Sequence, residues 1–354
     1  MDQPASTPWD DMLEEFRVLG GTADNVCLKA GRYGRGLFPV DPSKPVKIHI
    51  PDSLLLEPKH VSIVDGNFSV DAGAPIGRRE KSFLENYERD FSWGATHHET
   101  EGLLQMFYAA PAELRELLSK SFDLDPWLGG PTAEAVFHRF FTSRLVHYKD
   151  RAVIMPIVEL ANHGSAPGYE LDDGVGLSGR FEDEVLVRYN QLDPLQVFQH
   201  WGFVSTIESF GWSLSFGISL ESKQLDLRIR RNDLNFEEGR DPFYPQVQKD
   251  GEQTILSKML LGHKAYPGVP RGIFYRVCSE AGVDDAAELF DRIQHVNRTQ
   301  FLCLARLSET AAPRLGRLLR NLAYAQLEIL SNSFGARDPS GVRAASAAES
   351  HDGR

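Results

Sequence analysis

Short alternating apolar runs broken by glycine turns occur in two blocks, residues 26–51 and 152–230, and a stretch of helical periodicity separates them. A β-rich domain that is split in this way must close its two halves around whatever the middle builds. In the first block Val26-Cys27-Leu28-Lys29-Ala30 reads as a strand, and Gly31-Arg32-Tyr33-Gly34-Arg35-Gly36 as a loop whose glycines permit positive φ. Leu37-Phe38-Pro39-Val40 follows, and Val46-Lys47-Ile48-His49-Ile50 alternates as a half-buried strand does.

From residue 57 the pattern changes. Gly66, Gly73, Pro75 and Gly77 mark an irregular start, and then Phe83, Leu84, Tyr87 and Phe91 fall on one helical face, as do Leu103, Leu104 and Phe107. Residues 57–131 are therefore expected to form a helical insert. A helix is expected over Ala133–Tyr148, bearing Phe137, Phe140, Phe141 and Leu145, after which strands resume. Trp212 to Leu220 and Leu225 to Ile229 alternate as a hairpin pair, and residues 251–334 read as helical again. Leu315, Leu318, Leu319, Leu322, Ile329 and Leu330 make the last helical stripe, with Gly335 as its stop. The expected class is α+β. Residues 1–56 and 132–235 are the two parts of the split domain, 57–131 the insert, 250–335 an all-helical domain and 336–354 a disordered tail poor in apolar residues.

A net charge of −12 argues against a broad nucleic-acid surface, which needs clustered Lys and Arg. No run reaches the ~20 apolar residues that span a bilayer, and the first residues lack a basic-then-apolar leader. Cys27, Cys278 and Cys303 are too dispersed for a zinc knuckle and suit a reducing compartment, so a cytoplasmic protein is expected. His97-His98-Glu99 with Glu101 does not suggest a metal site, because adjacent histidines point apart on helix and strand alike.

Three segments stand out within this order. Gly34-Arg35-Gly36-Leu37-Phe38 is a glycine turn running into a strand; Glu159-Leu160-Ala161-Asn162-His163 ends an apolar stretch; Trp201-Gly202-Phe203-Val204 follows at a fitting distance. Taken alone, each is an ordinary structural element. Together, in this order and spacing, they resemble the split catalytic domain of SET-domain methyltransferases. The likeness is to the branch that includes the plant Rubisco large-subunit lysine methyltransferase and the animal actin-histidine methyltransferase. It covers roughly residues 20–235; the later helices resemble that branch's C-terminal domain in pattern only. The scarcity of cysteine sets aside the zinc-flanked histone-tail type.

The resemblance implies a SET fold, S-adenosyl-L-methionine as methyl donor and a lysine (or histidine) side chain of a protein as acceptor. It implies that Arg35, Gly36 and Leu37 wrap the methionine part of the donor through backbone contacts. Ser143 and Arg144 match the Ser-Arg pair near the donor's carboxylate, and an ordinary helix-surface arginine is the other reading of Arg144. The Asn162 side chain would meet the donor's amino group and the His163 backbone its adenine. Tyr189 matches the tyrosine beside the transferred methyl, and Trp201 stands where a second tyrosine is usual. Tryptophan offers a donor and a π face but no acceptor. Asn190 replaces a commoner glycine or aspartate, Glu159 an aspartate, and the stretch from Tyr189 to Gly202 is about one residue short. These departures motivate two further readings: a small amine as acceptor, or a scaffold that binds a partner without turnover. Neither nucleic acid nor membrane is an expected partner.

Overall fold

A computed structural model describes residues 6–220, 225–231, 243–251 and 253–332. The expected tail, 336–354, and Gly335 lie outside them. The chain opens with α1 (Pro8–Val18), started by Thr7, whose side chain accepts from the Asp10 N–H while Asp10 returns the bond. Its buried Trp9, Met12, Leu13 and Phe16 form one stripe. Strands β1 (Thr22–Asp24), β2 (Val26–Gly31), β3 (Gly34–Pro39) and β4 (Val46–Ile50) follow. β2 and β3 make a hairpin whose last pair is Gly31 with Gly34, so Arg32 and Tyr33 form the tip. Val46, Ile48 and Ile50 of β4 are buried at alternate positions, as the pattern requires.

The insert begins with a hairpin, β5 (Val61–Val64) and β6 (Asn67–Val70), where the glycine and proline spacing predicts irregular chain. Asp65 and Gly66 both have positive φ, the two-residue turn that matches strand twist. Helices α2 (Arg78–Phe91), α3 (Trp93–Tyr108), α4 (Ala112–Phe122) and α5 (Asp125–Leu128) follow. Then comes α6 (Ala133–Thr142), capped by the Thr132 side chain. It stops short of the expected end at Tyr148. Lys149 and Asp150 take positive φ and turn β7 (Leu145–Tyr148) back onto β8 (Arg151–Ile154).

Beyond these lie β9 (Asn162–His163), β10 (Val175–Gly179), β11 (Leu186–Val187) and α7 (Pro194–Trp201). β10 and β1 flank β4, both antiparallel. β12 (Phe210–Trp212), β13 (Phe216–Leu220), β14 (Leu225–Arg230), β15 (Gln246–Asp250), β16 (Gln253–Ser257) and β17 (Leu260–His263) come next. The expected hairpin of β13 and β14 is present, within a sheet of order β13-β14-β16-β15. The helical region starts at α8 (Val269–Ala281) and continues through α9 (Ala286–Leu307) and α10 (Pro313–Asn332). An all-helical domain from 250 is therefore corrected: β16 and β17 fall inside it. The apolar runs Ile255-Leu256 and Met259-Leu260-Leu261 are buried on consecutive positions, a pattern that strand and helix share.

The protein is thus mixed α and β, with short strands in small sheets and a C-terminal helical region. It divides into two compact units, one of residues 1–109 and 126–191, the other of 110–125 and 192–354. The first holds β1 to β11 with α1 to α3 and α6. In the second, α10 packs on α9, and Phe122 of α4 meets Phe301 of α9 at 5.2 Å between ring centres. No helix among the described residues is long and apolar enough to cross a membrane.

Candidate functional site

Four segments of the first unit that are remote in sequence converge beside the β2–β3 hairpin. β9 and β11 pair in parallel over two residues, which sets Asn162 beside Leu186 and His163 beside Val187. The Val185 N–H donates to the Leu37 carbonyl at 2.8 Å, fixing that pair of segments against β3. A strained turn lies just upstream of Asn162. Ile157 has φ 69° and ψ −60° and is fully buried, while the Val158 N–H donates to the Pro156 carbonyl at 2.8 Å. That is a γ-turn of the rare, strained hand, and a β-branched residue holds it only where packing overrules local preference.

Gly36 is required by what lies over it. A Cβ there would collide with Glu184 Oε1 and with Asn162 Nδ2, the latter at 2.6 Å. Asn162 Nδ2 donates to the Arg35 carbonyl at 3.3 Å and to Glu184 Oε1 at 2.5 Å. Both partners are acceptors only, so the amide cannot be turned over, and Oδ1 faces the other way.

Two guanidinium groups meet the corner between α2 and α3. Arg35 donates through Nη2 to the Phe91 carbonyl. Arg144 lies 3.7 Å from the centre of the Phe140 ring, donates to Ser143 Oγ at 2.9 Å and to the Phe140 carbonyl at 3.2 Å, and reaches Thr96 Oγ1 at 3.5 Å. Its Nε stands 3.3 Å from Glu159 Oε2, an ion contact without a hydrogen bond's alignment. Arg144 is therefore not a solvated helix-surface residue. Buried Tyr87 donates to Glu159 Oε1 at 2.8 Å, and buried Glu88 accepts from the Trp93 N–H at 3.2 Å. Burial first, then the nearby Glu159 charge, pushes the Glu88 carboxyl up to about 8. Tyr87 is raised as well, by burial and by both carboxylates.

Tyr189 closes this side. Its N–H donates to His163 Nδ1 at 3.3 Å, so the neutral imidazole carries its proton on Nε2. Its phenol donates to the Ala161 carbonyl at 3.0 Å, and towards any other group the oxygen acts as an acceptor. Burial raises the phenol's pKa; Glu159 and Glu184 add to that and Arg144 opposes it, so Tyr189 stays protonated throughout the physiological range. Tyr169 is a second phenol held neutral, by burial and then by its neighbours Tyr189 and Glu159.

Arg35, Gly36, Arg144, Asn162, His163 and Tyr189 are thus gathered in one unit. Leu37 contributes backbone and a fully buried side chain, and Ser143 Oγ accepts from Arg144 while donating to the Phe140 carbonyl at 2.7 Å. Trp201 ends α7 in the second unit, with its ring 6.5 Å from that of Phe203. Sequence reasoning missed Glu184, Tyr87, Glu88 and Tyr169. The Glu182-Asp183-Glu184 run looks like a solvated charge cluster, and nothing local marks its last member as buried.

No protein-family model matches this chain, and no curated protein matches it. Among the described residues no group of three or more His, Cys, Asp or Glu is placed to hold a metal. By type, the gathered groups suit the charged ends of an amino acid. Two guanidinium groups suit a carboxylate, and the Asn162 Oδ1 suits an ammonium. The Arg35 Nε–H is buried without a hydrogen-bond acceptor among the described residues, an open donor that is not by itself a ligand's signature. A cavity of about 780 Å³ lies elsewhere in the unit, against the β5–β6 turn and the start of α6. It is lined by Trp93, His97 and Phe137, not by the residues gathered here.

Proposed function

We propose that this chain is an S-adenosylmethionine-dependent methyltransferase of the SET type, acting on a lysine (or histidine) side chain of a protein. The observation that carries the reading is the Asn162 amide seated on the glycine hairpin at Arg35, with Arg35 and Arg144 both reaching the corner between α2 and α3 and the Tyr189 phenol within the field of Arg144. Arg35 and Arg144 would hold the donor's carboxylate and Asn162 its ammonium. Bound there, the donor supplies a methyl group on a sulfonium, open to in-line attack by an amine.

The chain's own part is alignment and exclusion of water. With its O–H donated to the Ala161 carbonyl, the Tyr189 oxygen accepts an N–H of the incoming amine and points the lone pair. A phenol held above its ordinary pKa does not ionise to take the amine's proton, so the amine arrives neutral. Burial beside a cation favours that form, against a reference value near ~10.4 for lysine.

Calorimetry with S-adenosylmethionine is the first test, and failure to bind at about millimolar concentration, far weaker than a working cofactor site, ends the reading. Mass spectrometry of lysate proteins after incubation with labelled donor then identifies the acceptor. Label on protein supports the proposal; label confined to the small-molecule fraction replaces the protein acceptor with a small amine.

A further inference from the structure

Glu184 is 8% exposed, and its carboxylate lies against the hairpin, with Oε2 3.2 Å from where a Cβ on Gly31 would stand and Oε1 closer still to one on Gly36. The Asn162 amide is its hydrogen-bond donor, at 2.5 Å. No lysine or arginine pairs with it among the described residues. A carboxylate this buried ordinarily has a cationic partner, since its desolvation is otherwise uncompensated. Arg144 does not supply one, because its ion contact is with Glu159.

We infer that Glu184 is a positioning residue that selects ligands carrying a primary ammonium. It acts in two ways. Its carboxylate, an acceptor only, holds Asn162 Nδ2 and so turns Asn162 Oδ1 outward as an acceptor. Its negative charge, one side chain behind that oxygen, supplies the missing counter-charge for a cation bound there. Glutamine at 184 would offer the amide either face and no charge, so both effects would weaken while the volume stayed the same. Gly36 belongs to the same device, because any side chain there displaces the carboxylate and the amide together.

The inference rests on the proposed donor site, and the test separates the two. S-adenosylhomocysteine, which keeps the amino-acid ammonium, and 5′-methylthioadenosine, which lacks the amino-acid part, are titrated by calorimetry into the full chain and into Glu184→Gln. We expect the variant to lose about tenfold in affinity for S-adenosylhomocysteine and to bind 5′-methylthioadenosine within about twofold of the parent. Gly36→Ala reads the same contact from the other side and should show the same selective loss if Glu184→Gln folds poorly. Unchanged affinity for S-adenosylhomocysteine overturns the inference, and equal loss of both ligands reduces Glu184 to a scaffold role. If the parent chain binds neither ligand, the donor site itself is wrong and the inference falls with it.

Discussion

Two arginine–carboxylate pairs, one in each unit, show how similar chemistry serves opposite ends. Arg231 and Asp193 have side chains 2% and 0% exposed, and each charge is matched within the core. Asp193 also accepts from the Gln196 N–H to start α7 and from the Trp212 N–H, both at 2.9 Å, while Arg231 donates to the Trp212 and Ser213 carbonyls. Arg144 and Glu159 differ. The arginine is 24% exposed, its contact with the carboxylate is poorly aligned, and Glu88 adds a second carboxyl to the one cation. A pair sealed from solvent fixes a fold; a pair whose arginine stays partly exposed leaves that cation within reach of something else.

The comparison breaks most readily at Arg231. Arg231→Met strands a buried carboxylate and should cost about 3–5 kcal/mol in urea unfolding. A loss under about 1 kcal/mol would mean the pair is not sealed. Next comes Glu88. Its folded pKa of about 8 lies above the ordinary value of 4.5, so its stabilising effect is full below 4.5 and disappears as pH rises through 8. Glu88→Gln, which keeps an acceptor for Trp93, should therefore gain on the parent by on the order of 4 kcal/mol between pH 4.5 and 8. Parallel stability curves would show that this acid is not held neutral.

Tyr189→Phe should lower turnover about 100-fold while leaving donor affinity within about twofold, since the phenol orients the acceptor only. Equal loss of both would show that its role is structural. The smallest change is expected at Arg144. Arg144→Met should weaken S-adenosylhomocysteine binding about tenfold and cost about 2 kcal/mol of stability, because the arginine is partly exposed and its contact with Glu159 is poorly aligned. A stability loss matching that of Arg231→Met would erase the distinction between the pairs.

The sequence carries the parts of this arrangement that are local. Gly36 and the Asn162–His163 pair are legible because a glycine turn and a chain reversal leave marks within a few residues. The stripes of α9 and α10 are legible because one face repeats every 3.6 residues. What stays hidden is non-local. Glu184 and Glu88 look like surface acids until the fold buries them, and Tyr87 reads as one more apolar position of α2. The overrun of α6 has a simpler cause: Leu145 continues the helical spacing, and its place in a strand comes from pairing with Ile154 across the turn at Lys149 and Asp150. At β16 and β17 consecutive apolar residues carry no period at all.

Residues 110–125 belong with the chain's later half although they lie in its earlier one. On a ribosome this segment emerges before Gln191, yet the helix that receives Phe122 is not complete until Leu307. The first unit can therefore close while α4 still waits with Leu114, Leu118 and Phe122 uncovered. A chain cut after 191 would carry that apolar helix permanently without its cover, and one begun at 192 would lack it. Dissecting this protein into fragments should thus yield sticky halves, whereas a fragment of the first unit with 110–125 replaced by a polar linker should stay dispersed.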